Sequence, residues 1–218
     1  MLQSFIYKPA NWLDSLDWRE IFGNDHPVEI DVGCGKGGFL VWSARTRPGH
    51  NFLGIERQLV RLHKVDKKIQ RAKLANVRLL RVEASYLISK LVPDKSVAVY
   101  HILFPDPWPK RRHAKHRLFQ PAFVEQLHRT LVGREPSPTR RGSPQTSRGA
   151  ASGDAAYSGG VVNIATDDAD YFVQIRKAMA ERFAETQPEI LPTEAMTEFE
   201  KVFVAQGKPI GRLRLVAQ

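Results

Sequence analysis

Asp31 stands two places before a cluster of glycines, Gly33, Gly35, Gly37 and Gly38, where a short apolar run hands over to a helical pattern. Glycines at such a junction let backbone approach a ligand closely at the carboxyl edge of a sheet. Gly33, Gly35 and Gly38 alone also satisfy the dinucleotide spacing G-x-G-x-x-G, and Glu56 lies near the distance expected of a ribose-binding acid. Two cofactors stay open on that spacing, NAD and S-adenosylmethionine. Asp31 tips the balance to the second, because a carboxylate inside the strand opposes a pyrophosphate but suits an ammonium or sulfonium cation. Glu56 can accept hydrogen bonds from two ribose hydroxyls at once; its plainer alternative is an acid at the N-terminus of the next helix. Glu83 follows a third apolar run, where a side chain meets the adenine rim, and Cys34 reads only as a small residue in a tight turn.

A second constellation is FPDPWPKRRHAKHR, residues 104–117. Three prolines in alternation predict an extended, rigid backbone directly after a strand, presenting Asp106 and Trp108 at the same sheet edge as the glycines. Lys110, Arg111, Arg112, His113, Lys115 and Arg117 follow, a density suited to phosphate contacts, with a merely solvated surface as the alternative. Trp108 either stacks on an extruded base or packs under the proline loop. Asp167, in Thr166-Asp167-Asp168, either touches substrate or caps the helix that follows.

The elements that must position these groups alternate. Strands are expected at Val28–Val32, Asn51–Ile55, Val77–Val82, Ser96–Phe104 and Val161–Ala165. Helices are expected at Phe39–Arg47, Gln58–Ala75, Tyr86–Leu91, over Phe119, Phe123, Leu127 and Leu131 with Pro121 in the first turn, and at Asp168–Phe183. Phe199–Val204 and Leu213–Val216 read as an antiparallel hairpin closing one edge. This alternation predicts an α/β, doubly wound, mostly parallel sheet covered on both faces. Arg61, Lys64, Lys68 and Arg71 line the outer face of the second long helix.

Composition bounds the function classes. The 218 residues carry 33 Lys+Arg against 23 Asp+Glu, a net charge of +10 that favours a polyanionic partner such as nucleic acid. One cysteine excludes an intramolecular disulfide framework, and no Cys/His spacing suits a structural zinc site, so no metal is expected. The longest apolar stretch, Val97–Phe104, is far too short to span a membrane, and MLQSFIYKPANW has no signal-peptide core; a single-domain cytoplasmic protein is expected. Gly133–Ser158 contains no Leu, Ile, Val, Met or Phe. It is expected to be a disordered insertion, starting beside the active-site edge.

FPDPWPKRRHAKHR, with DVGCGKGG and FLGIE upstream and ATDDADY downstream, resembles the bacterial tRNA (guanine-N7-)-methyltransferase family, over about Asn11 to Arg214 apart from the insertion. The resemblance implies a seven-stranded methyltransferase fold, S-adenosyl-L-methionine as methyl donor and the variable-loop guanosine of tRNA as target. It implies that Asp31, Glu56, Glu83 and Asp106 hold the cofactor beside Gly33 and Gly35, that Asp106 is catalytic, and that Lys110, Asp167, Thr197 and Glu200 bind substrate. A monomer or homodimer with no obligatory second subunit is expected. Two departures stand out: Glu198 replaces the lysine of the family's T-K-[FY]-E motif, and 26 residues separate Val132 from Gly159 where the family has a few. The remaining alternatives are a catalytically impaired RNA-binding homologue and an NAD-dependent oxidoreductase.

Overall fold

The computed structural model describes residues 4–133 and 159–218. In chain order the elements are α1 (Trp18–Phe22), β1 (Val28–Val32), α2 (Gly38–Thr46), β2 (Asn51–Ile55), α3 (Leu59–Ala72), β3 (Val77–Leu80) and α4 (Ala84–Tyr86), which runs into a π-helical turn at Leu87–Leu91. They continue with β4 (Val99–Leu103), α5 (Pro121–Thr130), β5 (Val161–Thr166), α6 (Ala169–Met179), β6 (Phe183–Thr186), α7 (Glu198–Ala205) and β7 (Gly211–Ala217). The strands form one sheet in the order β3-β2-β1-β4-β5-β7-β6. β1 to β5 pair in parallel, and β7 runs antiparallel to both its neighbours. The carboxyl ends of the parallel strands therefore share one edge, where ligands of such sheets bind.

The two faces of the sheet differ. Residues in register across parallel strands point the same way. Ile30, Tyr100, Val162 and Leu215 face an apolar core filled by Phe119, Phe123, Leu127, Tyr171 and Ile175 from α5, α6 and their approach. Asp31, His101, Asn163 and Arg214 form one polar rung on the opposite face. Beside it the buried Glu29 is met by His101 Nε2 at 2.7 Å, His50 Nδ1 at 2.9 Å and Arg47 Nη2 at 3.1 Å. Burial alone would raise the Glu29 pKa, but its histidine and arginine partners hold it at about 2. α3 packs Leu62, Val65 and Ile69 inward and turns its lone acid, Asp66, to the backbone N–H of Phe5 at 2.8 Å, leaving a basic outer surface.

The expected C-terminal hairpin is corrected. Phe199–Val204 lies in helix α7, and the antiparallel partner of β7 is β6, whose residues had been expected to end the preceding helix or follow it. Phe199, Val202, Phe203 and Val204 favour strands by type, but Thr197 and Glu200 form a reciprocal capping box that starts a helix. Leu131 likewise leaves α5 and bridges to Val97. The expected insertion, Gly133 apart, lies outside the described residues, but its ends are placed. Val132 donates to Val97 O, and Gly160 donates to Val132 O, both at 2.9 Å, immediately before β5. The chain departs and returns at the amino edge of the sheet, opposite the glycine turn, and not beside the active-site edge.

Candidate active site

The glycine turn between β1 and α2 is built on left-handed backbone: Gly33, Gly35 and Gly37 have φ of +75°, +54° and +70°. A Cβ on Gly37 would lie 2.6 Å from Val65 Cγ1, so glycine alone lets α2 start against α3. At Gly33 a Cβ would meet nothing within 4 Å, which leaves that side of the turn open. Cys34 N–H donates to Ile55 O at 2.9 Å, and Lys68 Nζ donates to Lys36 O at 2.7 Å, fixing the turn to the end of β2 and to α3.

Two acids meet behind this turn. Asp31 is 4% exposed and has neither ion pair nor side-chain hydrogen bond among the described residues. Burial, then the negative charge of Glu56, pushes its pKa up to about 7. Glu56, at the end of β2, accepts from Gln58 N–H at 2.8 Å and lies 3.7 Å from Arg61 Nη1. Burial followed by the same two carboxylates raises the Cys34 thiol well above its usual range, so it stays protonated and inert. A desolvated carboxylate without a counter-charge is complementary to a cation, and an ionised acid beside it to hydroxyl donors.

Asp106 and Trp108 lie on the loop after β4, but that loop is not simply extended. Phe104 and Trp108 have φ of +57° and +44°, each directly before a proline, a conformation that costs a non-glycine residue strain. The loop is held from both ends. Phe104 N–H donates to Ala165 O at 2.7 Å, and the Phe104 ring lies 5.5 Å from Phe203 of α7. Arg117 donates through Nε to Pro107 O at 2.7 Å, reaches Trp108 O and Gln174 Oε1, and lies 5.0 Å above the Tyr171 ring. Arg117 is thus an anchor of the loop, whereas Lys110, Arg112 and Lys115 are exposed and free of ion pairs among the described residues. Trp108 is 38% exposed and flanked by His116 at 5.2 Å and His113 at 5.8 Å, so it does not pack under the prolines. Asp106 is exposed.

Strand order places Glu83, Glu56, Asp31, Asp106 and Asp167 along the carboxyl edge of β3, β2, β1, β4 and β5. Adjacent strands are spaced at about 4.8 Å, so β3 to β4 spans about 14 Å, room for an extended nucleoside bearing an amino-acid arm. Three of the expected contacts are otherwise engaged. Glu83 caps α4 by accepting from Tyr86 N–H at 2.9 Å. Thr197 accepts from Glu200 N–H at 3.1 Å. Glu200 is fully buried and bonded to Thr197 N–H and to Arg212 Nη2. At the start of α6 the cap is Asp168, accepting from Tyr171 N–H at 2.7 Å; Asp167 is left beside Lys208 Nζ at 3.7 Å. Arg212 was not foreseen, although arginines alternating with leucines opposite a T-x-x-E box are a visible signal.

Residues 25–134 match a family model described as a putative methyltransferase. The chain is 31% identical to the tRNA (guanine-N(7)-)-methyltransferase of Rubrobacter xylanophilus over 97% of its length and 86% of that protein. It is 28% identical to the enzyme of the same name from Chlamydia abortus, over 88% and 77%. Among solved structures it resembles the 16S rRNA methyltransferase KamB, with a TM-score of 0.60 at 15% identity over 92% of this chain and 93% of that one. An rRNA methylase from Streptococcus thermophilus gives 0.52 at 12% identity over 89% and 88%. At these identities the structures speak for the fold alone. The relatives carry the assignment further: the chain belongs to the tRNA (guanine-N(7)-)-methyltransferase family.

Proposed function

We propose that this protein transfers a methyl group from S-adenosyl-L-methionine to N7 of a guanosine in the variable loop of tRNA. The observation that carries the reading is Asp31, buried beside Glu56 and without an ion pair among the described residues, on the same sheet edge as the exposed Lys110, Arg112 and Lys115. A pyrophosphate, and with it NAD, would meet repulsion from Asp31. S-adenosyl-L-methionine fits the edge, and when bound it supplies an electrophilic methyl group on a sulfonium.

The residues then divide the work. Gly33 and Gly35 let backbone approach the ligand, Asp31 draws its positive charge, and Glu56 accepts from the ribose hydroxyls. Glu83 reaches the adenine side only through the position it gives α4. Lys110, Arg112 and Lys115 attract RNA phosphates, His113 lies among them as a further RNA contact, and Trp108 offers a ring face to the target purine. N7 of guanine bears a lone pair and no proton, so no general base is required and alignment dominates the rate. Asp106 and Asp167 supply fixed negative charge beside the purine as it becomes cationic. The chain acts as one methyltransferase domain, in the cytoplasm, as a monomer or homodimer; among the described residues no helix is long and apolar enough to cross a membrane.

The test is incubation of purified protein with labelled S-adenosyl-L-methionine and unmodified tRNA, followed by nucleoside analysis. 7-Methylguanosine confined to the variable loop is expected, and Asp106→Ala should lower kcat by about 100-fold or more with an unchanged far-UV spectrum. A different methylated nucleoside, or cofactor binding with no product, would refute the assignment.

A further inference from the structure

Helix α7 and the residues that flank it touch three loops of the carboxyl edge. Glu198, where the family motif has lysine, lies 3.8 Å from Lys36 Nζ in the glycine turn after β1. Phe203 packs its ring against Phe104, the left-handed residue that opens the Asp106 loop after β4. Just beyond the helix, Lys208 lies 3.7 Å from Asp167 after β5, and 4.6 Å from the Phe203 ring. On the approach to the helix, Met196 O lies 3.7 Å from where a Cβ on Gly38 would sit, so that segment also rests on the start of α2.

With eight residues, α7 is too short to hold its own place. Its N-terminus is anchored by one buried ion pair. Glu200 is fully buried, closes the capping box with Thr197, and pairs with Arg212, which β7 holds in register with Ala165 of β5. A carboxylate so enclosed has nothing left to offer a substrate, and its arginine is fixed to the sheet that the three loops leave.

We infer that α7 is a clasp registering the glycine turn, the Asp106 loop and Asp167 against one another, and that Glu200 and Arg212 are positioning residues for methyl transfer, acting through α7 and not by touching RNA. The inference rests on the proposed function and revises the substrate-binding role that the family resemblance gives Glu200. A pair that only aligns cofactor and target should change kcat and leave tRNA capture alone. Its two members should also share a single defect, because removing either releases the same helix.

The test is steady-state methylation of tRNA by Glu200→Gln, Arg212→Gln, the double variant and Arg212→Lys, with thermal unfolding recorded for each. Each single glutamine variant is expected to lower kcat about 10-fold or more, with KM for tRNA and its salt dependence within twofold of the parent. The double variant should be no slower than the slower single, and Arg212→Lys should recover part of the rate. A raised KM for tRNA in Glu200→Gln without the same change in Arg212→Gln would overturn the inference, as would multiplicative losses in the double variant. If the buried variants do not fold, Phe203→Ala decides, since it loosens the other end of the clasp. A lowered kcat at unchanged KM for tRNA supports the clasp, and an unchanged kcat refutes it. Absence of 7-methylguanosine from the parent protein would instead count against the proposed function.

Discussion

Replacing Asp31 by asparagine should make the free protein more stable at alkaline pH and deprive it of its cofactor. Burial and the Glu56 charge raise the folded pKa from 3.8 to about 7. The sign is opposite to that of a salt-bridged acid: between about pH 4 and pH 7 the folded state keeps a proton that the unfolded chain has lost. Stability therefore falls as pH rises through that window, and the cost is complete above pH 7. Linkage over these two values gives a loss of at most about 2–3 kcal/mol between pH 5 and pH 8, because water and side-chain relaxation share the cost. For a chain of this size that corresponds to about 5–10 °C in Tm. Asparagine loses no proton, so its Tm relative to the parent should rise by up to that amount between pH 5 and pH 8. Comparing the two pH values cancels any pH-independent cost of the amide. Scanning calorimetry of both proteins without cofactor measures the difference. Isothermal titration of the parent at pH 7, in two buffers of different ionisation enthalpy, should show about half a proton released as S-adenosyl-L-methionine binds, with binding to Asp31→Asn weakened at least 10-fold. Parallel Tm profiles for the two proteins, or undiminished binding by the variant, would refute the reasoning.

Gly37→Ala should lower stability by about 2 kcal/mol or more and weaken cofactor binding, because the methyl group meets Val65 at 2.6 Å in a left-handed backbone; chemical denaturation with a parallel binding titration checks it. Arg112→Ala should raise KM for tRNA and flatten its salt dependence by about one phosphate contact, with kcat retained. Arg117→Ala should mainly lower kcat, since it frees the carbonyls of Pro107 and Trp108 and with them the Asp106 loop. Steady-state kinetics at several salt concentrations distinguishes the two arginines, and identical effects on KM alone would contradict the anchoring role.

Much of the α/β core could be read directly from the sequence. VEIDV and NFLGI are short enough, and apolar enough at alternate places, to leave little choice but buried strands, and the glycines after the first mark the turn without further help. Near the C-terminus local and tertiary signals conflict. Phe199 and its valine neighbours are strand-formers, so the helix is set by one capping box whose importance shows only once Arg212 is found opposite it. The charge run at 110–117 could not be resolved from sequence either. An arginine turned toward loop carbonyls and one turned toward solvent are the same letter, and only packing against Tyr171 separates Arg117 from Arg112. Adjacent Asp167 and Asp168 suit a cap equally by type; backbone direction at the start of α6 selects the second. The positive φ values before Pro105 and Pro109 run against the ordinary preference of a residue preceding proline, so no local rule would have found them.

The hydrogen bond from Gly160 to Val132 brings the residues that flank 134–158 together, on the rim of the sheet opposite Asp31 and Glu56. Closing a loop between ends already joined depends only weakly on its length. That rim is therefore a splice point, where sequence can be trimmed to a short linker or replaced by a fluorophore-bearing peptide while the catalytic rim goes untouched.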